Sequence, residues 1–214
     1  MDLIRFMVAH ADKIFGALIQ HMKITGIAVA FAILIGVPIG IWISKKQNIA
    51  GFVLGVANIM QTIPSLALFG LIIPIMGIGF KPSVFVLLLY ALMPIIKNTY
   101  IGITTVDPAV IEAGRGMGMT RMQILKMIEV PLSLPMIMGG IRISTVINIG
   151  TATIAALIGA GGLGTFIFQG ISMADNMMVL SGAIPTALLA LLMDALLNFV
   201  ELKLTPTALK GENK

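Results

Sequence analysis

Five runs of this chain, 24–44, 50–75, 83–104, 132–158 and 177–202, stay apolar over about twenty residues or more, the length that crosses the hydrocarbon core of a bilayer. No water reaches an unpaired peptide group there, so each run must satisfy its own backbone, and a helix does that. Composition agrees: 58% of residues are hydrophobic and 11% charged, whereas a soluble domain carries about 25% charged residues. The expectation is an all-α polytopic membrane protein with five transmembrane helices. Pro64, within QTIPSLALFG, is expected to bend the second run. In the first, Gly36 and Gly40 form a small-xxx-small pair that favours close helix packing.

Three parts follow. Residues 1–23 place Leu3, Ile4, Met7, Ile14, Phe15, Leu18, Ile19 and Met22 at helical spacing with a polar face, which reads as an interfacial segment. Residues 24–202 form the membrane domain, including a loop at 107–131, and 203–214 form a tail. Asp2, Arg5, His10, Asp12 and Lys13 interrupt any signal-peptide core. The net charge of +5 is read as a topology signal and not as a nucleic-acid footprint. Placing the N-terminus outside puts Lys45, Lys46, Arg115, Arg121, Lys126, Lys203, Lys210 and Lys214 on the inner side. Only Arg5, Lys13, Lys23 and Lys81 then lie outside, so the positive-inside rule predicts N-terminus out and C-terminus in. With no cysteine, the chain has neither a disulfide framework nor a thiolate metal site.

The loop carries local helix signals. Asp107-Pro108 is a helix start, with Asp as cap and Pro at the first helical position. Gly114 and Gly118, four residues apart, are expected on one face of that short helix. Thr120 followed by Gln123 is a capping box for a second helix, which Pro131 is expected to end. The prediction is a helix-turn-helix outside the bilayer, with small residues where another protein can approach.

On this stretch Glu112, Ala113, Gly118, Ile128 and Pro131 fall on the pattern Glu-Ala-Ala, three residues, Gly, nine residues, Ile, one residue, Leu-Pro. Gly114 stands for the second Ala and Val130 for the Leu. The pattern resembles the coupling loop of ABC importer permeases. IGAGGLG at 158–164, QTIPSLALFG at 61–70 and the run from GMGMT to GIR at 116–142 are similar to importer permeases of the methionine and osmoprotectant type. Together they resemble the osmoprotectant branch, which carries glycine betaine, carnitine or choline.

The resemblance implies a methionine-permease-like fold in a bacterial cell membrane. It implies that the loop docks on a cytoplasmic ATPase dimer that binds ATP and Mg. A second permease chain, identical or paralogous, and an extracytoplasmic substrate-binding protein would complete the importer, with lipid around it. This chain itself is expected to be no enzyme and to hold no cofactor. It contains no G-x-x-x-x-G-K-[ST] phosphate-binding loop. Its Trp42, Tyr90 and Tyr100 are too few and too scattered for an aromatic cage around a quaternary ammonium.

Gly159, Gly161 and Gly164 match a dinucleotide-binding G-x-G-x-x-G by letter, but that motif needs a preceding strand, and a membrane run precedes it here. With Gly162 they are instead expected to form irregular or tightly packed backbone near the outer face. Lys97, Arg142 and Asp194 lie inside spans, where charges are paired or face water. Snorkelling suits the two long basic side chains. Asp194 is expected to pair with Lys97 or Arg142, with a role in the translocation path as the alternative. The 16 Met are read as flexible packing. His10 and His21 are placed outside, away from any acidic cluster, and no metal is expected. An intramembrane enzyme would need a paired nucleophile and base within the spans, and the five runs contain no His. A passive channel would not require the helix-turn-helix.

Overall fold

A computed structural model describes residues 3–205, which form helices and no strand. The end of the tail, with Lys210 and Lys214, lies outside the described residues. Helix α1 (Leu3–Ala9) is short, and His10 separates it from α2 (Ala11–Ser44). At about 1.5 Å per residue, the 34 residues of α2 exceed the thickness of the hydrocarbon core. No break falls at residue 23, so the part expected at the interface and the run expected to span share one helix.

Helices α3 (Gln47–Thr62) and α4 (Ser65–Met76) meet at 98°. The second run therefore breaks outright at Pro64 where only a bend was expected. Ile63, forced from the α region by the following proline, is extended at φ −71, ψ 123, and its freed carbonyl accepts a hydrogen bond from Tyr90 Oη. That contact supplies what a broken helix needs at membrane depth. Among the described residues four helices are long and apolar enough to cross a membrane singly. The bent pair makes a fifth span only if it crosses as one unit, so the expected five continuous spans become four plus a broken pair.

Helix α5 (Phe80–Thr104) packs between α2 and α8 (Val130–Thr151). Glycines set the separation. A Cβ on Gly36 would press on Ile95, and one on Gly40 would lie 2.6 Å from Thr99 Cβ. Across the other face, a Cβ on Gly140 would lie 2.7 Å from Asn98 Cβ and 2.8 Å from Pro94 O. The apolar seam between these helices includes Ala32, Ala91, Ile95, Ile137 and Ile141, and Ser144 Oγ donates to Ala91 O at 2.9 Å across it. Such close backbone approach replaces the hydrophobic drive that lipid surroundings remove.

Helix α6 (Pro108–Gly116) and α7 (Arg121–Ile124) form the loop. A π-helical turn, Leu125–Glu129, then carries α7 straight into α8. Pro131 does not end the second loop helix as expected. It has no N–H for the carbonyl four residues back, and the wider turn before it, with Val130 N–H donating to Leu125 O, lets the rod continue from Arg121 to Thr151. A 3₁₀ turn, Ile154–Ile158, leads to the glycine segment, then to α9 (Gly164–Ser172), a short helix not foreseen, and α10 (Asn176–Leu204). Helix α10 packs on α8 and α9 and leaves Leu188, Leu191, Leu192 and Phe199 exposed.

Candidate coupling loop, glycine segment and buried charges

The loop builds itself from neighbouring residues. Asp107 Oδ1 accepts from Ala109 N–H at 2.8 Å and Pro108 opens the helix. Helix α6 then ends by the double hydrogen bond of a left-handed cap: Gly118 N–H donates to Arg115 O at 2.9 Å and Met119 N–H to Gly114 O at 3.1 Å. Gly118 sits at φ +78, which glycine adopts freely. It therefore lies beyond the helix, and the expectation that it shares a helical face with Gly114 is corrected. Thr120 N–H donates to Gln123 Oε1 at 2.8 Å, and Gln123 N–H to Thr120 Oγ1 at 3.3 Å, closing the capping box.

The motif residues divide into two groups. Gly114 is buried, and a Cβ there would lie 2.7 Å from Ile128 Cδ1 and 3.3 Å from the Met119 sulfur. Gly114 and Ile128 thus meet each other, and Pro131 sits half-buried in the second position of α8. Glu112 and Ala113 are exposed, as are Met117 and Met122 of the same loop. Gly118 is also exposed, with open space where a Cβ would stand.

Glu129 was not singled out by the sequence. Its side chain is 8% exposed and pairs with Lys45 Nζ at the end of α2. A carboxylate in the run IEVP is unusual, but a partner 84 positions away leaves no local mark. The contact ties α2 to the turn where the loop enters α8.

At the opposite end of α8, the glycine segment is built by distant partners. Gly159, Gly161 and Gly162 have φ of +79, +75 and +81. Gln20 on α2 clamps the segment: its Nε2 donates to Ala160 O at 2.8 Å and its Oε1 accepts from Gly162 N–H at 3.3 Å. Gly161 lies against that amide, Gly162 against His21, and Gly164 against the backbone of Thr153, where any Cβ would collide. His21 is fully buried, and its Nε2 donates to Ile149 O at 3.0 Å. Reading 1–23 as an interface segment hid Gln20 and His21, because polar side chains are ordinary there. Among the described residues no group of His, Asp or Glu is arranged to hold a metal.

Arg142 meets Asp194. Its Nε and Nη2 donate to the two carboxylate oxygens at 3.0 and 3.1 Å, and its Nη1 reaches Asn198 at 3.0 Å and Glu201 at 3.2 Å. This fork of parallel bonds suits a guanidinium, which an ammonium cannot match. Lys97 joins no ion pair among the described residues and lies in a separate groove.

Comparison with known proteins accords with this architecture. Residues 18–206 match the family described as binding-protein-dependent transport system inner membrane component. The osmoprotectant import permease protein OsmW of Salmonella typhimurium is 44% identical, over 98% of this chain and 100% of the relative. A carnitine transport permease protein, OpuCB of Listeria monocytogenes, is 46% identical over 89% of this chain and 88% of its own. The choline transport system permease protein OpuBB of Bacillus subtilis is 38% identical over 97% and 96%. A chain of the MetNI methionine ABC transporter, solved in inward-facing conformations, superposes with a TM-score of 0.82 at 22% identity, covering 90% of this chain and 96% of that one. Helices and relatives agree on one assignment: this multi-pass membrane chain belongs to the binding-protein-dependent transport system inner membrane component family and has the ABC permease fold.

Proposed function

We propose that this chain is the permease subunit of an ATP-driven importer for a quaternary ammonium compatible solute such as glycine betaine, carnitine or choline. The observation that carries the reading is near full-length similarity to permeases named for osmoprotectant, carnitine and choline transport. In this reading the α6–α7 loop faces the cytoplasm and docks on an ATPase dimer, which binds ATP and Mg. Glu112, Ala113, Met117 and Met122 form the docking face, because they are exposed and methionine adapts to a partner surface. Gly114, Gly118, Ile128 and Pro131 act one step back, by holding the loop's shape. The N-terminus lies outside and the C-terminus inside. A second permease chain completes the pathway and an extracytoplasmic binding protein delivers the solute.

The Lys45–Glu129 pair supports a coupling role for α2. Gln20 and Lys45 lie 25 residues apart on or at the end of that rod, about 37 Å at helical rise. One element therefore touches both the glycine segment and the loop. A displacement of the loop would be felt at the far end of α2.

The test is ATP-dependent uptake by the complex reconstituted from this chain and its neighbouring subunits. Glycine betaine, carnitine, choline and methionine would each be offered as labelled solute. Uptake of at least one quaternary ammonium solute, lost on Glu112→Ala while the chain still inserts, is the expected result. Uptake of methionine alone would refute the substrate class, and flux without ATP would refute the importer.

A further inference from the structure

Arg142 engages both Asp194 and Glu201, which leaves Lys97 as an intramembrane cation with no ion-pair partner among the described residues. Lys97 lies seven residues from the Thr104 end of α5, about 10 Å along the helix, and is exposed on the surface of the single chain. An ammonium at that depth facing lipid is costly, so it faces water or an anion. Its surroundings mix amides with apolar side chains, among them Leu54, Met93 and Ile143. Asn58 and Gln61 from α3 and Asn98 from α5 line the same groove, together with Pro94 and Ile147. Asn98 is anchored by donating from Nδ2 to Pro94 O at 2.8 Å, whereas Asn58 and Gln61 are exposed. The groove measures about 320 Å³, at the lower end of the range for small-molecule sites.

The chemistry of this lining is selective. One fixed positive charge beside three amides suits a carboxylate, whose oxygens take charge-assisted bonds from the ammonium and further bonds from amide N–H groups. The same charge repels a solute that carries only a cation. We propose that Lys97, with Asn58, Gln61 and Asn98, forms a transit subsite for the carboxylate end of a zwitterionic solute. Lys97 is thus a specificity-determining residue that favours carboxylate-bearing quaternary amines over choline. This rests on the substrate class proposed above.

Two measurements test it in the assembled complex. The first compares uptake of glycine betaine, carnitine and choline by wild type, Lys97→Gln and Lys97→Arg. The expected result is a tenfold or greater loss of betaine and carnitine uptake in Lys97→Gln, choline within twofold of wild type, and substantial recovery in Lys97→Arg. Equal losses for all solutes, no loss for any, or a wild type that carries choline but neither zwitterion would overturn the subsite. If wild type carries no choline, the Arg-to-Gln contrast decides, and equal loss in both variants overturns it. A complex that carries none of the three solutes refutes the substrate class itself, and the subsite with it. The second measurement uses the absence of native cysteine: Ile147→Cys, in the same groove and exposed, is the single thiol in this chain and leaves Lys97 in place. It should react with an anionic membrane-impermeant thiol reagent and be protected by excess glycine betaine. No reaction means the position is sealed by lipid or by the second permease chain, and reaction without protection means an aqueous surface that binds no zwitterion. Either overturns the proposal.

Discussion

The loop and the glycine segment both announce themselves by glycines, yet they are built in opposite ways. In the loop, Gly118 takes a left-handed conformation with nothing beside it, and every cap is closed by a residue within five positions. In the glycine segment, Gly161, Gly162 and Gly164 also meet Gln20, His21 and the backbone of Thr153. The first region needs glycine for its torsions. The second needs it for torsions and for space, or, at Gly164, for space alone. A loop whose caps are closed locally keeps its shape mostly from its own residues, with the Lys45–Glu129 pair joining its exit to α2. The glycine segment is instead tied to α2 through Gln20.

The contrast can be broken by substitution. Gly164→Ala is expected to have the largest effect, because its Cβ collides with the Thr153 backbone, which cannot swing aside. A cost above about 3 kcal/mol is expected, beyond the usual range for overpacking, seen as loss of folded protein after detergent extraction. Normal yield and melting temperature would show that the segment has slack.

The sharper comparison places asparagine at both left-handed glycines, since asparagine tolerates that conformation. Gly161→Asn should cost about 1–2 kcal/mol, because the displaced Gln20 amide gives up its hydrogen bonds to Ala160 O and Gly162 N–H, whereas Gly118→Asn should change the melting temperature little. Equal effects at the two sites would erase the distinction. The distinction also sets the expectation for Gly118→Leu: a loss of about 1–2 kcal/mol in the chain's own stability through strained torsions, since no atom of this chain lies within 4 Å of an added Cβ.

The Lys45–Glu129 pair gives an asymmetric prediction. Lys45→Ala strands a carboxylate that is 8% exposed, while Glu129→Ala frees a lysine that is 46% exposed and can be hydrated. Lys45→Ala is therefore expected to cost about 2 kcal/mol, below the range for a fully buried pair, and Glu129→Ala clearly less. Thermal denaturation of both single variants would check the order, and a reversed order would mean that the pair is solvated. The smallest effect belongs to Thr120→Ala, which removes one cap of the loop for about 1 kcal/mol. It should leave insertion and yield unchanged, and a collapse on this substitution would show that the loop is not self-sufficient.

What the amino-acid sequence determined by itself has short range. Apolar runs mark the helices that hydrocarbon tolerates. Asp107-Pro108 and Thr120 with Gln123 start the loop helices because capping bonds join residues two or three positions apart. Five motif positions in twenty residues suffice to show the family resemblance. Only the tertiary structure decided that Arg142 and not Lys97 takes Asp194, that Gln20 grips Ala160 and Gly162, and that Lys45 finds Glu129. It also turned the expected bend at Pro64 into a 98° break, because Tyr90, 27 positions on, was at hand to satisfy the exposed carbonyl of Ile63. Pro131 likewise interrupts nothing once a π turn absorbs it. The physical reason is common to all of these. A charge, an amide or a broken backbone withdrawn from water gains from a partner group, and helix packing decides which group comes within reach.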